Sequence, residues 1–397
     1  MTASTQPTTA PKPKRSGLNA RHIHFIALGS AIGTGLFYGS AGAIQAAGPS
    51  VLLVYLLGGA VVYFMLRALG EMSVRNPVRG SFAVYCRKYL GGWGGYITGW
   101  MFAFEMMIVC LADLTAIGIY MKFWFPDTAA WVWIAVTLLI IGAANLATVR
   151  WFGELEFAFT IVKVTAVVAM IVGGAAILVF NLGQQPEVSQ ISNLWNDGGF
   201  FPNGVEGMIA SFILVLFAFG GTEIIGVAGA EAEDPERSIP QAVNTVPARI
   251  LLFYVLAIIV IGFLLPYTHP NLLASDIEDV AISPFTLVLQ NAGVAFAGSV
   301  MNAVILTAIL SAGNSGLYAS TRMLWSMATD GKAPAWLAKV NRRGVPMRAL
   351  LVTSSFGLLA FLTTFIGEGA AYTWLLNASA LAGFIVWAGI AWTHYCF

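Results

Sequence analysis

Gly29-Ser30-Ala31-Ile32-Gly33-Thr34-Gly35 interrupts an apolar run that extends from about Ile23 to Ala47. A second interruption, Phe217-Ala218-Phe219-Gly220-Gly221-Thr222-Glu223, falls inside a run from about Val205 to Ala230. A helix that loses its hydrogen-bond ladder in hydrocarbon bares amides and carbonyls, each at a cost of several kcal/mol. Such breaks persist where they line a cavity, and a matched pair in two halves of a chain points to a secondary transporter's binding site.

The composition around these runs is that of a membrane protein. The chain is 58% hydrophobic and 10% charged, with a mean hydropathy of +0.78; soluble domains carry about a quarter charged residues. Ten blocks are long enough to cross about 30 Å of hydrocarbon. They lie near 23–47, 51–69, 96–120, 130–147, 156–180, 205–230, 248–268, 293–324, 349–366 and 372–393. The broken blocks are the first and the sixth. Five crossings per set force the second set to enter from the opposite face, so an inverted repeat is expected, with sets at 21–183 and 184–397.

Net charge is only +1, yet it is asymmetrically placed. If the N-terminus is cytoplasmic, 18 of the 20 basic residues fall on that side, in the tail and after the second, fourth, sixth and eighth spans. Lys122 alone falls outside, and Lys163 lies within a span. The positive-inside rule fixes the orientation accordingly. The loops at 181–204 and 267–292 contain no Lys or Arg. Residues 1–20 read as a disordered cytoplasmic tail, and the first apolar run is too long for a cleavable signal.

Among the connections, 71–81 is polar and rich in turn residues, and Phe82 to Leu90 is amphipathic. Residues 181–203 form a Gly/Pro/Asn-rich loop, and 280–291 suits a short surface helix. Cys86, Cys110 and Cys396 lack metal or redox spacing and read as free thiols.

Each break has chemistry to offer. Unwinding at Gly33-Thr34-Gly35 frees amides at the positive end of the following half-helix, where a carboxylate fits, with the Thr34 hydroxyl as an added donor. Close helix packing through Gly29 and Gly33 is the competing explanation. At the second break, carbonyls from Phe217 to Gly220, with that of Ala31, can accept from an ammonium group. Phe217 and Phe219 can cover the site as an aromatic lid, although aromatics at this spacing also serve as plain packing.

Ionisable groups inside spans mark function by default. Lys163 is mid-span, and a buried amine able to gain and lose a proton suits ion coupling; the alternative is a permanently paired structural lysine. Glu105 suits pocket lining or pairing, Asp113 a structural hydrogen bond, and Glu223, which ends and steadies the second break, suits proton coupling beside Lys163. No phosphate loop or histidine pair at metal spacing is present. No enzyme, cofactor, metal or nucleic-acid partner is therefore expected; the expected partners are a small amino acid, protons and the bilayer.

These segments resemble the bacterial amino-acid permeases of the amino acid–polyamine–organocation superfamily, from Gly17 onward. The resemblance rests on Ala27 to Ser40, on Ala47-Gly48-Pro49 through Leu69-Gly70-Glu71 to Pro77, on Phe152-Gly153-Glu154-Leu155-Glu156-Phe157, and on Gly229 to Pro240. It implies an all-α, leucine-transporter-like fold in the bacterial inner membrane, with substrate at the two breaks. It further implies that Lys163 stands where sodium-coupled relatives hold an ion, favouring proton symport, with Ser311, Asn314 and Ser315 facing it or the pathway. Tyr38-Gly39-Ser40 and Phe104-Glu105-Met106 look closest to the proline-type and histidine-type permeases, with Glu105 selecting the substrate. The twelve-span family pattern would leave helices 11 and 12 absent here. An amino-acid exchanger and a non-transporting sensor are the alternatives.

Overall fold

The computed structural model describes residues 18–30, 32–37, 39–75, 81–147, 149–181, 189–229, 234–270, 283–294, 296–342 and 344–397. Residues 1–17 of the expected tail, Ala31 and Tyr38 lie outside the described residues. The described chain is helical. In order, the main helices are α1 (Ala20–Gly29), α2 (Thr34–Phe37), α3 (Gly39–Ala47), α4 (Val51–Arg75), α5 (Ser81–Met121), α6 (Ala130–Asn145) and α7 (Val149–Phe180). There follow α8 (Gly204–Phe219) and α9 (Ile224–Gly229), α10 (Arg237–Leu264), α11 (Pro284–Asn291) and α12 (Ala297–Thr329), α13 (Met347–Ile366) and α14 (Glu368–Cys396).

Among the described residues, eight stretches are long and apolar enough to cross a membrane, and Ala130–Asn145 is a shorter apolar helix. One of the eight, Gly39–Arg75, joins the end of the first expected span to the second. Each of the ten expected spans falls on these helices, and the first and sixth are interrupted at the expected places.

The two broken spans lie side by side. α1 packs against α9, and α3 packs against α8. The beginning of one therefore adjoins the end of the other, so they run antiparallel, as an inverted pair must. α5 packs along both α12 and α14, and α7 along α1 and α12, so the breaks are enclosed by long helices.

One connection fits the sequence reading and one differs from it. The Phe82–Leu90 stretch is helical but is set off from the rest of α5 by a bend at Gly91, where φ is +84°. α11 is not a surface helix: Pro284, Phe285, Thr286, Leu287 and Val288 are buried, and the Phe285 ring stacks edge-on against Phe37 at 5.0 Å. Its apolar residues cover the first span instead of facing solvent. The three cysteines are free thiols, as expected.

Candidate functional site

The interruptions meet. α1 closes with Ser30 N–H donating to the Ile26 carbonyl, and helical bonding resumes as Leu36 N–H reaches the Gly33 carbonyl at 3.2 Å. In the sixth span, Gly220 is extended (φ −55°, ψ 148°) and Gly221 has φ +87°. Side chains are strained in that left-handed region, and a Cβ on Gly221 would stand 3.0 Å from the Ser30 carbonyl oxygen. A Cβ on Gly35 would lie 2.5 Å from Ala218 Cα. Glycine at these two positions lets one backbone touch the other.

Between the breaks is a small cavity walled by Ser30, Gly33, Thr34, Gly35, Asp113, Phe217, Gly220, Gly221 and, from α12, Ser315 and Gly316. A larger groove, lined by Arg67, Glu71, Arg75, Asn244 and Phe397 among others, includes no residue of either break. The smaller cavity carries the chemistry, because the unwound backbone of both breaks and buried polar groups converge there.

Specific side chains take up the bared carbonyls. Lys163 Nζ donates to the Gly29 carbonyl at 2.5 Å and to Ser311 Oγ at 2.9 Å. The Ser311 hydroxyl donates to Glu156 at 2.6 Å, and Asn314 Nδ2 donates to the other Glu156 oxygen at 3.1 Å. Asn145 in turn donates to Asn314 Oδ1 at 2.8 Å. Lys163 and Glu156 are both fully buried, so this chain of hydrogen bonds offsets the desolvation of two ionisable groups. At the second break, Tyr254 donates to the Ala218 carbonyl at 3.1 Å, and Gly220 N–H donates to that of Phe217 at 2.9 Å.

Glu223 braces the second break. One carboxyl oxygen accepts from Gly221 N–H at 3.2 Å; the other accepts from Thr222 Oγ1 at 3.4 Å and from the Trp387 indole at 3.3 Å. The Thr34 hydroxyl donates to Asp113 Oδ1 at 3.3 Å, so it is engaged by α5. Asp113 Oδ2 is buried with no hydrogen-bond partner, which makes this residue part of the cavity wall and gives it more than the structural bond expected of it.

Two expected site residues stand elsewhere. Phe219 is fully buried and faces away from the cavity, its ring 4.6 Å from Tyr254 and 6.0 Å from Tyr55; of the two aromatics only Phe217 walls the cavity. A helical turn places neighbours two apart on different faces. Glu105 opens into a separate small cavity with Ser379, Gly383, Phe384 and Trp387. Phe217 and Gly220 form the partition, since they line both spaces. Glu156 and Asn145 were not singled out from sequence. The available signal was the seven-residue spacing of Glu156 and Lys163, two turns apart on one helical face. Among the described residues, no group of three His, Cys, Asp or Glu side chains is placed to hold a metal ion.

The amino acid permease family model matches residues 22–397. The chain belongs to the amino acid permease family. This permease is 48% identical to the lysine-specific permease LysP of Escherichia coli (strain K12), over all of this chain and 81% of that one. It is 42% identical to the aromatic amino acid transport protein AroP of the same strain, over 96% of this chain and 82% of that one. An uncharacterized amino acid permease of Bacillus subtilis (strain 168), YtnA, is 41% identical over 94% of this chain and 79% of its own length.

Solved structures agree on the fold. Mhp1, a nucleobase-cation-symport-1 family transporter in a closed conformation with bromovinylhydantoin bound, superposes with a TM-score of 0.59 at 15% identity, over 96% of this chain and 80% of that one. A sodium-coupled sialic acid symporter gives 0.60 at 12% identity, over 92% and 76%. This permease is thus a multi-pass membrane transporter of amino acids with the leucine-transporter-like fold, and not an enzyme. The relatives' names, lysine-specific and aromatic, do not single out proline or histidine.

Proposed function

We propose that this permease imports an amino acid by alternating access, coupled to protons, with the zwitterion held between the two breaks. The contact of Gly221 with the Ser30 carbonyl across one cavity carries the reading. The substrate carboxylate is assigned to the amides of Gly33, Thr34 and Gly35, because the first amides of a helix have no partner within it and its positive end favours an anion. The ammonium group is assigned to the Ser30 carbonyl, the free oxygen of Asp113 and the backbone between Phe217 and Gly220, with Ala31, outside the described residues, assigned from the sequence alone. Phe217 is the lid. Phe219 supports the break from behind.

Lys163 is assigned the coupling proton. Its amine holds the end of α1 through the Gly29 carbonyl, so a change in its protonation alters the support of the first break. Glu223 holds the second break in the same way, through Gly221 N–H. The two sets of five spans, 21–183 and 184–397, are assigned to opposite orientations, with the N-terminus cytoplasmic in a bacterial inner membrane on the strength of the basic-residue asymmetry.

The substrate is assigned to the neutral or weakly basic class, proline or histidine, on the Phe104-Glu105-Met106 and Tyr38-Gly39-Ser40 motifs. The names of LysP and AroP make lysine and phenylalanine the necessary competitors. The test is uptake of labelled proline and histidine into proteoliposomes, with each of the four unlabelled amino acids in excess, with and without an inward proton gradient. The reading expects gradient-driven accumulation, suppressed most by proline or histidine. Binding without accumulation would leave a sensor, and counterflow independent of pH would leave an exchanger.

A further inference from the structure

The polar groups around Lys163 form a line that runs towards the start of α7. Lys163 Nζ donates to Ser311 Oγ at 2.9 Å, and the Ser311 hydroxyl donates to Glu156 Oε2 at 2.6 Å. All three residues are fully buried. Glu156 precedes Lys163 by seven residues, about 10 Å along a helix. With the N-terminus cytoplasmic, Glu156 is therefore the acid on the cytoplasmic side of the amine. Its other oxygen accepts from Asn314 Nδ2 at 3.1 Å, and Asn145, donating to Asn314 Oδ1 at 2.8 Å, sets which way round that amide stands. An N–H donor thus occupies Oε1, and Oε2 is the oxygen left to receive a proton.

The line meets a barrier one turn further on. Phe152 precedes Glu156 by four residues on α7, and Tyr318 follows Asn314 by four on α12, so each stands on the same face a turn along. α12 ends at Thr329, before the connection that the charge asymmetry places inside, so both steps lead towards the cytoplasm. The two rings stack at 4.1 Å with 11° between their planes, and both residues are buried. Among the described residues, titratable groups on the surrounding helices have other partners. Asp113 on α5 walls the substrate cavity, and Arg21 and His22 on α1 meet Glu154. Tyr254 on α10 donates to the Ala218 carbonyl, and Arg322 on α12 to that of Gly344. α6, α11 and Leu256–Leu264 of α10 carry no titratable side chain.

We infer that Glu156 is the cytoplasmic proton acceptor for Lys163, with Ser311 as the relay and the Phe152–Tyr318 stack as the gate between Glu156 and the cytoplasm. In the step, an N–H bond of the Lys163 ammonium breaks as a new O–H bond forms on Ser311. The original Ser311 O–H bond breaks as one forms on Glu156 Oε2. Ammonium and carboxylate become amine and carboxylic acid, and the net charge of the buried group stays the same, so no charge is left uncompensated away from water. The neutral amine then holds the Gly29 carbonyl more weakly, because a charge-assisted hydrogen bond is about twice as strong as a neutral one. Transfer of the proton thereby loosens α1. Parting of the two rings wets Glu156, and the proton leaves to water. The inference deepens the proposed function, since it rests on Lys163 carrying the coupling proton, and it gives Glu156 a role beyond balancing the charge of Lys163.

The test compares two activities of proteoliposomes given a labelled mixture of the protein amino acids: accumulation driven by an inward proton gradient, and counterflow at equal pH. Counterflow moves no net proton, so the ratio of the two reads the relay. Ser311→Ala is expected to lower that ratio about a hundredfold, the low end of what a positioned proton-transfer group contributes, and Ser311→Thr to recover it. Glu156→Gln is expected to lower it equally. If Glu156 only balances charge, the Ser311 hydroxyl is dispensable; a wild-type ratio in Ser311→Ala would overturn the relay. Where Glu156→Gln fails to fold, the two Ser311 variants decide, because each changes little more than a hydroxyl. The gate has a readout without substrate, which is modification of Glu156 by a water-soluble carbodiimide, followed by mass spectrometry. Phe152→Ala is expected to expose Glu156 to the reagent while Glu105, buried elsewhere, stays unmodified. Equal modification of Glu156 in wild type and variant would overturn the gate. If the wild type accumulates none of the mixture, the transport reading fails; if it accumulates and the variants match it, only the relay fails.

Discussion

Lys163 Nζ lies 2.5 Å from the carbonyl oxygen of Gly29, the last residue of α1. A single side chain on the fifth span thus caps the broken end of the first. The same amine reaches Glu156 through Ser311, so the cap is tied to a buried acid two turns earlier on its own helix. A proton gained or lost anywhere along this line changes how firmly α1 is held. Lys163→Ala is expected to keep substrate binding while abolishing the stimulation of uptake by an inward proton gradient. Equilibrium binding of labelled substrate and gradient-driven uptake, measured on one preparation, check this. Uptake that stays equally gradient-driven would remove Lys163 from coupling.

Glu156 and Lys163 should be energetically coupled. Removing one partner of a buried ionisable pair costs about 3–5 kcal/mol, because the other is left uncompensated. Glu156→Ala alone is expected to destabilise the permease on that scale. Glu156→Ala with Lys163→Ala is expected to be less destabilised than the sum of the two single changes. A double-mutant cycle from thermal unfolding in detergent measures the difference; simple additivity would mean that Ser311 transmits nothing between them.

Gly221 tests whether the two breaks must touch. Its positive φ costs a residue with a side chain about 1–2 kcal/mol, and a Cβ there would press on the Ser30 carbonyl at 3.0 Å. Gly221→Ala is expected to lower stability by at least that amount and to weaken substrate binding about tenfold or more, about 1.4 kcal/mol. Gly199→Ala is the control: it also has positive φ, +83°, but a Cβ there meets nothing within 4 Å. Equal binding losses in the two variants would show that backbone strain, and not contact between the breaks, is responsible.

The architecture was legible because lipid enforces it. Runs such as 130–147 and 156–180 have few structures open to them in hydrocarbon, and a Gly-Gly pair inside 205–230 is legible as a break for the same reason. Lys163 was legible because a lone amine mid-span stands out. Glu156 was not, since near a span end it resembled its exposed neighbour Glu154, which pairs with Arg21 at 2.7 Å. Phe219 and Glu105 were placed in the substrate cavity because sequence gives nearness along the chain but not which face of a helix is turned where. The irregular backbone at Gly220 and Gly221 decides that, and no helical period extends through it.

Phe217 separates the substrate cavity from the Glu105 chamber. Phe217→Ala is expected to join the two spaces and shift the preference among competing amino acids towards larger side chains. The ring is only partly buried, so the stability loss should fall below the roughly 3–5 kcal/mol of a fully buried phenylalanine. The competition panel before and after the substitution checks this. An unchanged ranking would mean that the partition does not limit the substrate.

The orientation can be tested directly by labelling. Cys86 and Cys110 are buried and Cys396 is exposed, so Cys396→Ser provides a quiet background. Asn196 lies in a connection without Lys or Arg, and Lys339 lies in the most basic one; both residues are exposed. The positive-inside rule puts Asn196 outside and Lys339 inside. In intact cells, a membrane-impermeant maleimide is expected to modify Asn196→Cys at once and Lys339→Cys only after permeabilisation. The reverse pattern would invert the assignment, and with it the direction in which a proton gradient drives uptake.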